Sequence, residues 1–294
     1  MIAYGYFIKF FPPLKRKKSV SGLKTQQVTV RRAASDDKRK KLACRLEFIN
    51  NQGRDLALYS DRGFAASDKD QLWAFEVEGV LTFYWQHGSL ILEYVEHENF
   101  TEALLEYWTL HSVLPIFFTI EGIYDFLHAG AVEVEGKPIL FIAQSFGGKS
   151  TITDYFMRRG HAMVADDGVA TYRKGDLFHA VPSHPYHRPH RGREDLGIFV
   201  DNMAREAKPI GAVYALEKKE PAADVDIVPL HGIEKFKVLG YSSMINLSPL
   251  KPGRFHYLSQ LGQSVPVCRV SIPWDRTRLG QVYDRILADM MKQE

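Results

Sequence analysis

Ile139-Leu140-Phe141-Ile142-Ala143-Gln144-Ser145-Phe146-Gly147-Gly148-Lys149-Ser150-Thr151 is the stretch on which the fold turns. Its first five residues form a continuous apolar run, as expected of a buried strand. A glycine-containing loop follows and opens directly into a helical run that reaches Arg159. Strand, glycine loop and helix make the layout of a phosphate-binding loop. In that layout the backbone N–H groups of Gln144, Ser145, Phe146, Gly147, Gly148, Lys149, Ser150 and Thr151 cradle phosphate oxygens, and the helix dipole favours the anion. Lys149 then reaches the terminal phosphates, and the Ser150 hydroxyl binds Mg²⁺. The stretch departs from the pattern G-x-x-x-x-G-K-[ST] at its first position, where Ala143 stands; alanine is small enough for a tight strand exit.

The residues after the helix sharpen this reading. Arg159-Gly160-His161 ends the helix, with Gly160 suited to the C-cap. Residues 161–165 return as a strand, and two adjacent carboxylates, Asp166 and Asp167, stand at its end. Neighbouring side chains on a strand point to opposite faces, so one carboxylate faces the phosphates and the other faces away. A carboxylate beside a nucleotide holds the metal or accepts a proton from an attacking hydroxyl.

Gly148-Lys149-Ser150, Arg159-Gly160-His161 and Val164-Ala165-Asp166-Asp167, in this order and spacing, resemble the catalytic domain of the HPr kinase/phosphorylase family. Leu127-His128-Ala129 resembles that family's active-site histidine motif at a matching distance. The resemblance covers residues 128–167 and is thin elsewhere. It implies a fold related to phosphoenolpyruvate carboxykinase and ATP-dependent phosphorylation of a protein serine. Smaller relatives act on peptides, including lasso peptide precursors. The resemblance further implies that Asp167 is the proton acceptor, with Asp166 the metal or structural partner. It implies an active-site role for His128 and a metal-binding role for Glu194. Pro249-Leu250-Lys251-Pro252-Gly253-Arg254 resembles the family's dephosphorylation motif, which brings Arg254 into consideration.

Composition bounds these expectations. The chain has 294 residues, enough for one large domain or two smaller ones, and 45% hydrophobic residues support a sizeable core. The net charge of +3 is small, but Lys15-Arg16-Lys17-Lys18, Arg31-Arg32 and Lys38-Arg39-Lys40-Lys41 make the start of the chain basic. Such a region is either a solvated surface or a patch for an acidic peptide or nucleic acid. Two cysteines far apart, Cys44 and Cys268, give neither a disulfide framework nor a zinc spacing, which points to a reducing cytoplasm. No transmembrane helix is expected; residues 1–11 are apolar but too short to span a bilayer.

Along the chain, residues 1–11 and 26–32 read as strands, and 38–50 as helix or strand. A β-rich series follows at 56–59, 72–77, 80–86 and 89–94. A helix is expected from Asn99 onward, carrying Leu104, Leu105, Trp108, Leu110, Val113 and Leu114 on its apolar side, with Pro115 ending or bending it. Residues 126–134 and 137–143 form a hairpin about Glu135-Gly136. This puts His128 on a strand beside the one that feeds the loop. A histidine on such a strand is either a satisfied core residue or, by the family spacing, part of the site.

Residues 169–173 and 177–181 form a second hairpin. The segment from Pro182 to Asp195 carries His184, His187 and His190 three apart, yet its prolines preclude a regular helix and no cysteine is near. Mg²⁺ prefers oxygen ligands, so zinc is discounted. Arg188, Arg191 and Arg193 in this segment suit a substrate or phosphate clamp, or else a solvated loop. Further on, 199–207 reads as helix, 210–217 and 226–230 as strands, 233–239 as helix with Lys235 a candidate anion contact, 267–272 as strand and 278–291 as an amphipathic helix.

The expectation is therefore an α/β chain: a phosphoenolpyruvate carboxykinase-like P-loop kinase domain over residues 126–294, with a β-rich portion over 1–125 packed against it. The implied activity is that of an ATP- and Mg²⁺-dependent serine kinase acting on a protein or peptide. Lys149, His128 and Asp167 would be its catalytic residues, and Ser150 with Asp166 or Glu194 its metal ligands. A bifunctional kinase/phosphorylase and a nucleotide-binding regulatory module without transfer activity are the alternatives. A cytoplasmic location, no membrane partner and no nucleic acid are expected, and a homo-oligomer is compatible with the resemblance.

Overall fold

A computed structural model describes residues 1–14, 26–49, 53–64, 70–144, 146–189, 192–247 and 250–292. The chain divides into two compact units. The first comprises Met1–Ile123 with two short returns, Arg191–Leu196 and Ser248–Leu250; the second comprises Tyr124–His190, Gly197–Leu247 and Lys251–Glu294. The second carries the strand–loop–helix stretch.

The first unit is an eight-stranded sheet. Its strands are β1 (Ile2–Ala3), β2 (Tyr6–Phe11), β3 (Gln27–Arg32), β4 (Cys44–Ile49), β5 (Asp55–Ser60), β6 (Leu72–Val77), β7 (Leu81–Gln86) and β8 (Ile91–Glu96). They run in the order β1-β2-β3-β8-β7-β6-β5-β4. β2 alternates buried and exposed residues along its length, the two-residue period of a strand covered on one face. A helix of 19 residues, Glu102–Ile120, packs on this sheet. Phe117 meets the Trp85 ring edge-on at 5.9 Å, and Phe118 lies 4.8 Å from Tyr6.

Pro115 does not end this helix. The helix passes from α1 (Glu102–Trp108) through a five-residue π-turn, Thr109–Val113, into α2 (Leu114–Ile120). A proline ring clashes with the carbonyl four residues back, and the wider π-turn just before it relieves that clash. By length and composition the same helix could cross a membrane, which the sequence reading did not anticipate. However, 72% of its apolar window is buried in the fold, and that burial accounts for its apolarity. The basic run at 15–18 lies outside the described residues. Arg31 and Lys38 pair with Glu93, Arg32 with Glu96 and Arg39 with Glu76. The segment left open between helix and strand resolves as a 3₁₀ turn, Asp37–Lys41, followed by β4.

The second unit holds three sheets. Strands β9 (Asp125–Leu127), β10 (Gly130–Val134), β11 (Lys137–Ile142), β12 (Ala162–Ala165), β13 (Val169–Lys174) and β14 (Leu177–Val181) come first. They are followed by β15 (Tyr186–His187), β16 (Ile198–Phe199), β17 (Lys208–Pro209), β18 (Ala212–Lys219), β19 (Ile227–Pro229) and β20 (Val267–Pro273). The main sheet has the order β12-β10-β11-β18-β20-β19, a second has the order β17-β14-β13-β9, and β15 pairs with β16. Its helices are α3 (Lys149–Arg158), α4 (Ile233–Tyr241), α5 (Lys251–Ser264) and α6 (Leu279–Met290).

β11 shows why the main sheet is covered on both faces. Ile139 and Phe141 join a core with Ile152 and Phe156 of α3 and Val282 and Ile286 of α6. Leu140 and Ile142 join a second core with Leu239 of α4 and Leu258 and Leu261 of α5. Alternate residues thus serve opposite faces, and the strand reads as a continuous apolar run.

Two local expectations are corrected. His128 is not on a strand of the main sheet: it stands at the break where the chain leaves β9 in one sheet for β10 in another. Residues 199–207 form no helix. Their backbone instead pairs beside β12, with Met163 N–H donating to Asn202 and Ala204 N–H to Met163. Lys251-Pro252-Gly253, to which the sequence reading gave no secondary structure, is the first turn of α5; a proline there loses no helix bond because the first N–H groups have no partner inside the helix.

Candidate active site

The loop after β11 is shaped by close backbone approach. Gly147 N–H donates to the Gln144 carbonyl at 2.9 Å, which closes a tight turn. A Cβ at Gly147 would lie 2.7 Å from Ala143 Cβ and 2.9 Å from the Gln144 oxygen, so no side chain fits. Phe146 is left-handed at φ 60° and 97% exposed. Gly148, at φ +88°, turns the chain into α3, and its carbonyl accepts from Ile152 N–H at 2.9 Å. The loop therefore ends on the N-terminus of a ten-residue helix, where unsatisfied N–H groups and the helix dipole favour an anion. Ser145 lies outside the described residues; Ser150 is half-buried and Thr151 exposed.

Lys149, His128 and Asp167 meet beside this helix start. Lys149 is buried, and its Nζ lies 2.7 Å from His128 Nε2. His128 Nδ1 lies 3.1 Å from the Asp167 backbone oxygen and 3.3 Å from Asp167 Oδ1. An ammonium can only donate, so Nε2 is the acceptor and the ring proton sits on Nδ1, donated toward Asp167. The backbone of His128 is held as well: its main-chain N–H donates to the Ser242 carbonyl at 2.6 Å. On the other side, Gly130 lets α3 come close. A Cβ there would sit 2.2 Å from Thr153 Oγ1, a hydroxyl that itself donates to the Lys149 carbonyl at 2.9 Å.

The two carboxylates have separate environments. Asp167 is partly open, with 26% of its side chain exposed, whereas Asp166 keeps 4%. Asp166 Oδ2 accepts from the Arg188 backbone N–H at 2.7 Å, and Oδ1 lies 3.1 Å from His187 Nδ1. The other ring nitrogen of His187 lies 3.6 Å from Asp154 of α3. Burial alone would lower the His187 pKa, but Asp166 and Asp154 together outweigh it and raise it. Nearby His184 has no such compensation in full: burial dominates and takes its pKa down to about 4, so the ring is neutral at pH 7. The loop of 183–188 is thereby fastened to the end of β12 and to α3. Gly197 permits the close return, since a Cβ there would sit 2.4 Å from the His187 carbonyl.

The remaining residues singled out in the sequence have other partners. Glu194 belongs to the first unit, where Arg54 grips both oxygens at 2.5 and 2.9 Å and Trp108 Nε1 donates at 2.8 Å. Arg193, also of that unit, donates to the Gly53 carbonyl at 2.9 Å, and Arg191 lies outside the described residues. Arg188 is buried beside Asp166 and His184. Lys235 Nζ donates to the Gly262 carbonyl at 2.9 Å at the end of α5. Arg254 reaches the Ile245 carbonyl and Asn246 Oδ1. Sequence reasoning missed Asp154 altogether, because its partner His187 lies on a two-residue strand too short for any periodicity to place it. Among the described residues, no group of three or more His, Cys, Asp or Glu side chains is arranged to hold a metal ion. Mg²⁺ in nucleotide sites asks for less: one or two oxygen side chains, water and the phosphates themselves.

No family model matches the chain. The HPr kinase/phosphorylase of Prosthecochloris aestuarii is 28% identical over 137 residues, 45% of this chain and 40% of that protein. The HPr kinase/phosphorylase of Chloroherpeton thalassium is 27% identical over 171 residues, 53% of this chain and 50% of that protein. The chain is similar in sequence to these HPr kinase/phosphorylases over about half of its length. It spans about half the length, or less, of these curated relatives. Among solved structures, the HPr(Ser) kinase/phosphatase of Coxiella burnetii matches at 14% identity and a TM-score of 0.34, over 56% of this chain and 98% of that one. The chain itself is a mixed α/β protein with several sheets.

Proposed function

We propose that this chain is an ATP- and Mg²⁺-dependent kinase that transfers the γ-phosphoryl group to a serine hydroxyl of a protein or peptide. On this reading the second unit is a P-loop kinase domain of the phosphoenolpyruvate carboxykinase-like kind, and a ribosomally made peptide precursor is one acceptor it would take. The observation that carries the proposal is the Lys149–His128–Asp167 chain beside the helix start, with contacts of 2.7 and 3.3 Å. It joins a cation suited to phosphate and a carboxylate suited to a hydroxyl proton in one connected group.

The residues fit the nucleotide. Gly147 closes a turn too tight for a side chain, and α3 offers its N-terminus to phosphate oxygens. Ser150, with Asp166, would hold Mg²⁺, which when bound neutralises charge on the phosphates. Glu194 is not carried into this set, because Arg54 and Trp108 hold its oxygens. In the transfer step the serine oxygen attacks the γ-phosphorus, the bond to the β-γ bridging oxygen breaks, ADP leaves, and Asp167 takes the hydroxyl proton. Lys149 steadies the transferring charge, and His128 fixes where both Lys149 and Asp167 stand.

The test is calorimetry of Mg-ATP binding to the chain and to Lys149→Ala, together with transfer of labelled phosphate to candidate serine peptides. Binding lost in the variant, and label on serine with the intact chain, are expected. Equal affinity in both proteins would remove the phosphate-loop reading.

A further inference from the structure

Of the four tryptophans in the chain, Trp73, Trp85 and Trp108 are 1% exposed, whereas Trp274 keeps 43% of its surface open. Its position is specific. β11, β18 and β20 are parallel neighbours, so the loop at 143–148 and the residue after Pro273 emerge at the same, carboxyl, end of the sheet. That end is where open α/β sheets take their ligands. Trp274 N–H donates to the Lys219 carbonyl at 3.0 Å, which fixes the residue to the end of the β18–β20 ladder. The indole reaches the loop itself: a Cβ on Gly148 would stand 3.5 Å from Trp274 Cζ3. Lys218 Nζ lies over the ring, 4.1 Å from its centroid.

We propose that Trp274 is the nucleobase platform of the site, with the purine of a nucleoside triphosphate stacked on the indole while its phosphates lie on the loop and the start of α3. The inference rests on the nucleotide reading above and adds the subsite that reading lacks. A purine is a flat π-system, and stacking on an aromatic side chain requires a rigid, open ring at the right distance from the phosphates. Trp274 has both properties. It abuts the residue immediately before Lys149, and its backbone is tied to a strand rather than to a free loop. Stacking tolerates any purine, so the platform supplies affinity for the base without choosing adenine over guanine. Lys218 above the ring adds a cation–π contact that holds the indole plane in place.

The experiment compares Mg-ATP with Mg-tripolyphosphate, which carries the phosphates without a base, on the full chain. Trp274→Ala is expected to weaken Mg-ATP by about tenfold or more and to leave Mg-tripolyphosphate unchanged. Trp274→Phe is expected to recover most of the loss. Binding of Mg-ATP, but not of Mg-tripolyphosphate, is expected to quench the accessible part of the tryptophan emission, and Trp274→Phe abolishes that change. Unchanged Mg-ATP affinity in Trp274→Ala, or equal losses for both ligands, would overturn the platform and leave the phosphate site standing. Failure of the unaltered chain to bind either ligand would overturn the phosphate site and the platform with it.

Discussion

Lys149 Nζ donates to His128 Nε2 across 2.7 Å, and this single contact joins the loop-to-helix junction to the carboxylate end of β12. The bond fixes the histidine tautomer, because a lysine ammonium has no lone pair to offer. With Nε2 occupied as acceptor, Nδ1–H is left to face Asp167. Three side chains from three separate points of the chain thus depend on one ring orientation. His128→Phe keeps a flat ring of similar size and removes both contacts. The expected result is a folded protein whose phosphoryl transfer slows about a hundredfold through lost alignment, with Mg-ATP affinity far less affected. Single-turnover transfer and calorimetry on the same variant check it; an unchanged transfer rate would remove the positioning role.

Asp167 and Asp166 should separate cleanly on mutation. Asp167→Asn keeps shape and removes the basic oxygen, so transfer is expected to fall by about a hundred- to ten-thousand-fold while the fold and Mg-ATP binding hold. Asp166 is buried against His187 and the Arg188 backbone, so Asp166→Asn is expected to show chiefly in stability and in the Mg²⁺ requirement. Melting temperature and a metal titration, measured beside single-turnover rates for both variants, decide between them. Equal loss of transfer with no difference in stability would show that the two carboxylates act as one.

The buried His187–Asp166 pair gives a double-mutant cycle. Removing one partner of a buried pair leaves the other charge without compensation, and such changes cost about 3 to 5 kcal/mol. His187→Ala is expected in that range by urea denaturation. Asp166→Asn added to His187→Ala is expected to cost little more, because the charge it removes is already stranded. Strict additivity of the two single losses would mean that the pair contributes no coupling.

Legibility in the sequence followed locality. The hairpin of β10 and β11 could be read because Glu135 and Gly136 adopt positive φ at its turn, and α6 because Val282, Ile286 and Met290 recur at helical spacing on its buried side. Residues 199–207 could not be read, because their hydrogen bonds go to Met163, a partner supplied by tertiary structure. α5 was hidden by Pro252 and Gly253, which signal a turn in isolation and are tolerated in a first helical turn. In the site, motif order already grouped His128, Lys149 and Asp167. What the sequence misjudged was how His128 arrives there, at a crossing between sheets instead of along a strand. Glu194 was placed by distance along the chain alone, and distance along the chain does not reveal Arg54 and Trp108.

Gly147 tests the cradle without touching a polar group. Its φ lies outside the left-handed region, so the obstacle to a side chain is space: Ala143 Cβ at 2.7 Å and the Gln144 oxygen at 2.9 Å. Gly147→Ala must open the turn. Mg-ATP affinity is expected to fall by about tenfold or more, roughly 1.4 kcal/mol, with little change in melting temperature because Gly147 belongs to neither core. Ala143→Gly combined with Gly147→Ala relieves one of the two clashes and is expected to recover part of the affinity. Calorimetry on the pair checks it, and full affinity in the single variant would show that the loop is not the cradle described.

Asp125 supplies a pH dependence away from the phosphate loop. It lies on β9, where burial raises its pKa from 3.8 to about 6 and the Arg254 charge only partly opposes the rise. The folded state therefore holds this proton more tightly than the unfolded chain does. Below about pH 4 both states are protonated and nothing is lost. Between about pH 4 and pH 6 the unfolded chain releases the proton first, so stability falls as pH rises; above about pH 6 the full penalty applies. A shift of two units corresponds to about 3 kcal/mol at most. Asp125→Asn removes the titration and keeps the shape. Urea midpoints of both proteins are expected to differ little at pH 4, to diverge through pH 6 with the variant the more stable, and to hold that gap at pH 7.5. Other groups titrate in both proteins alike, so the difference isolates Asp125. A gap that stays constant from pH 4 to pH 7.5 would show that Asp125 ionises in the folded protein as it does in the unfolded chain.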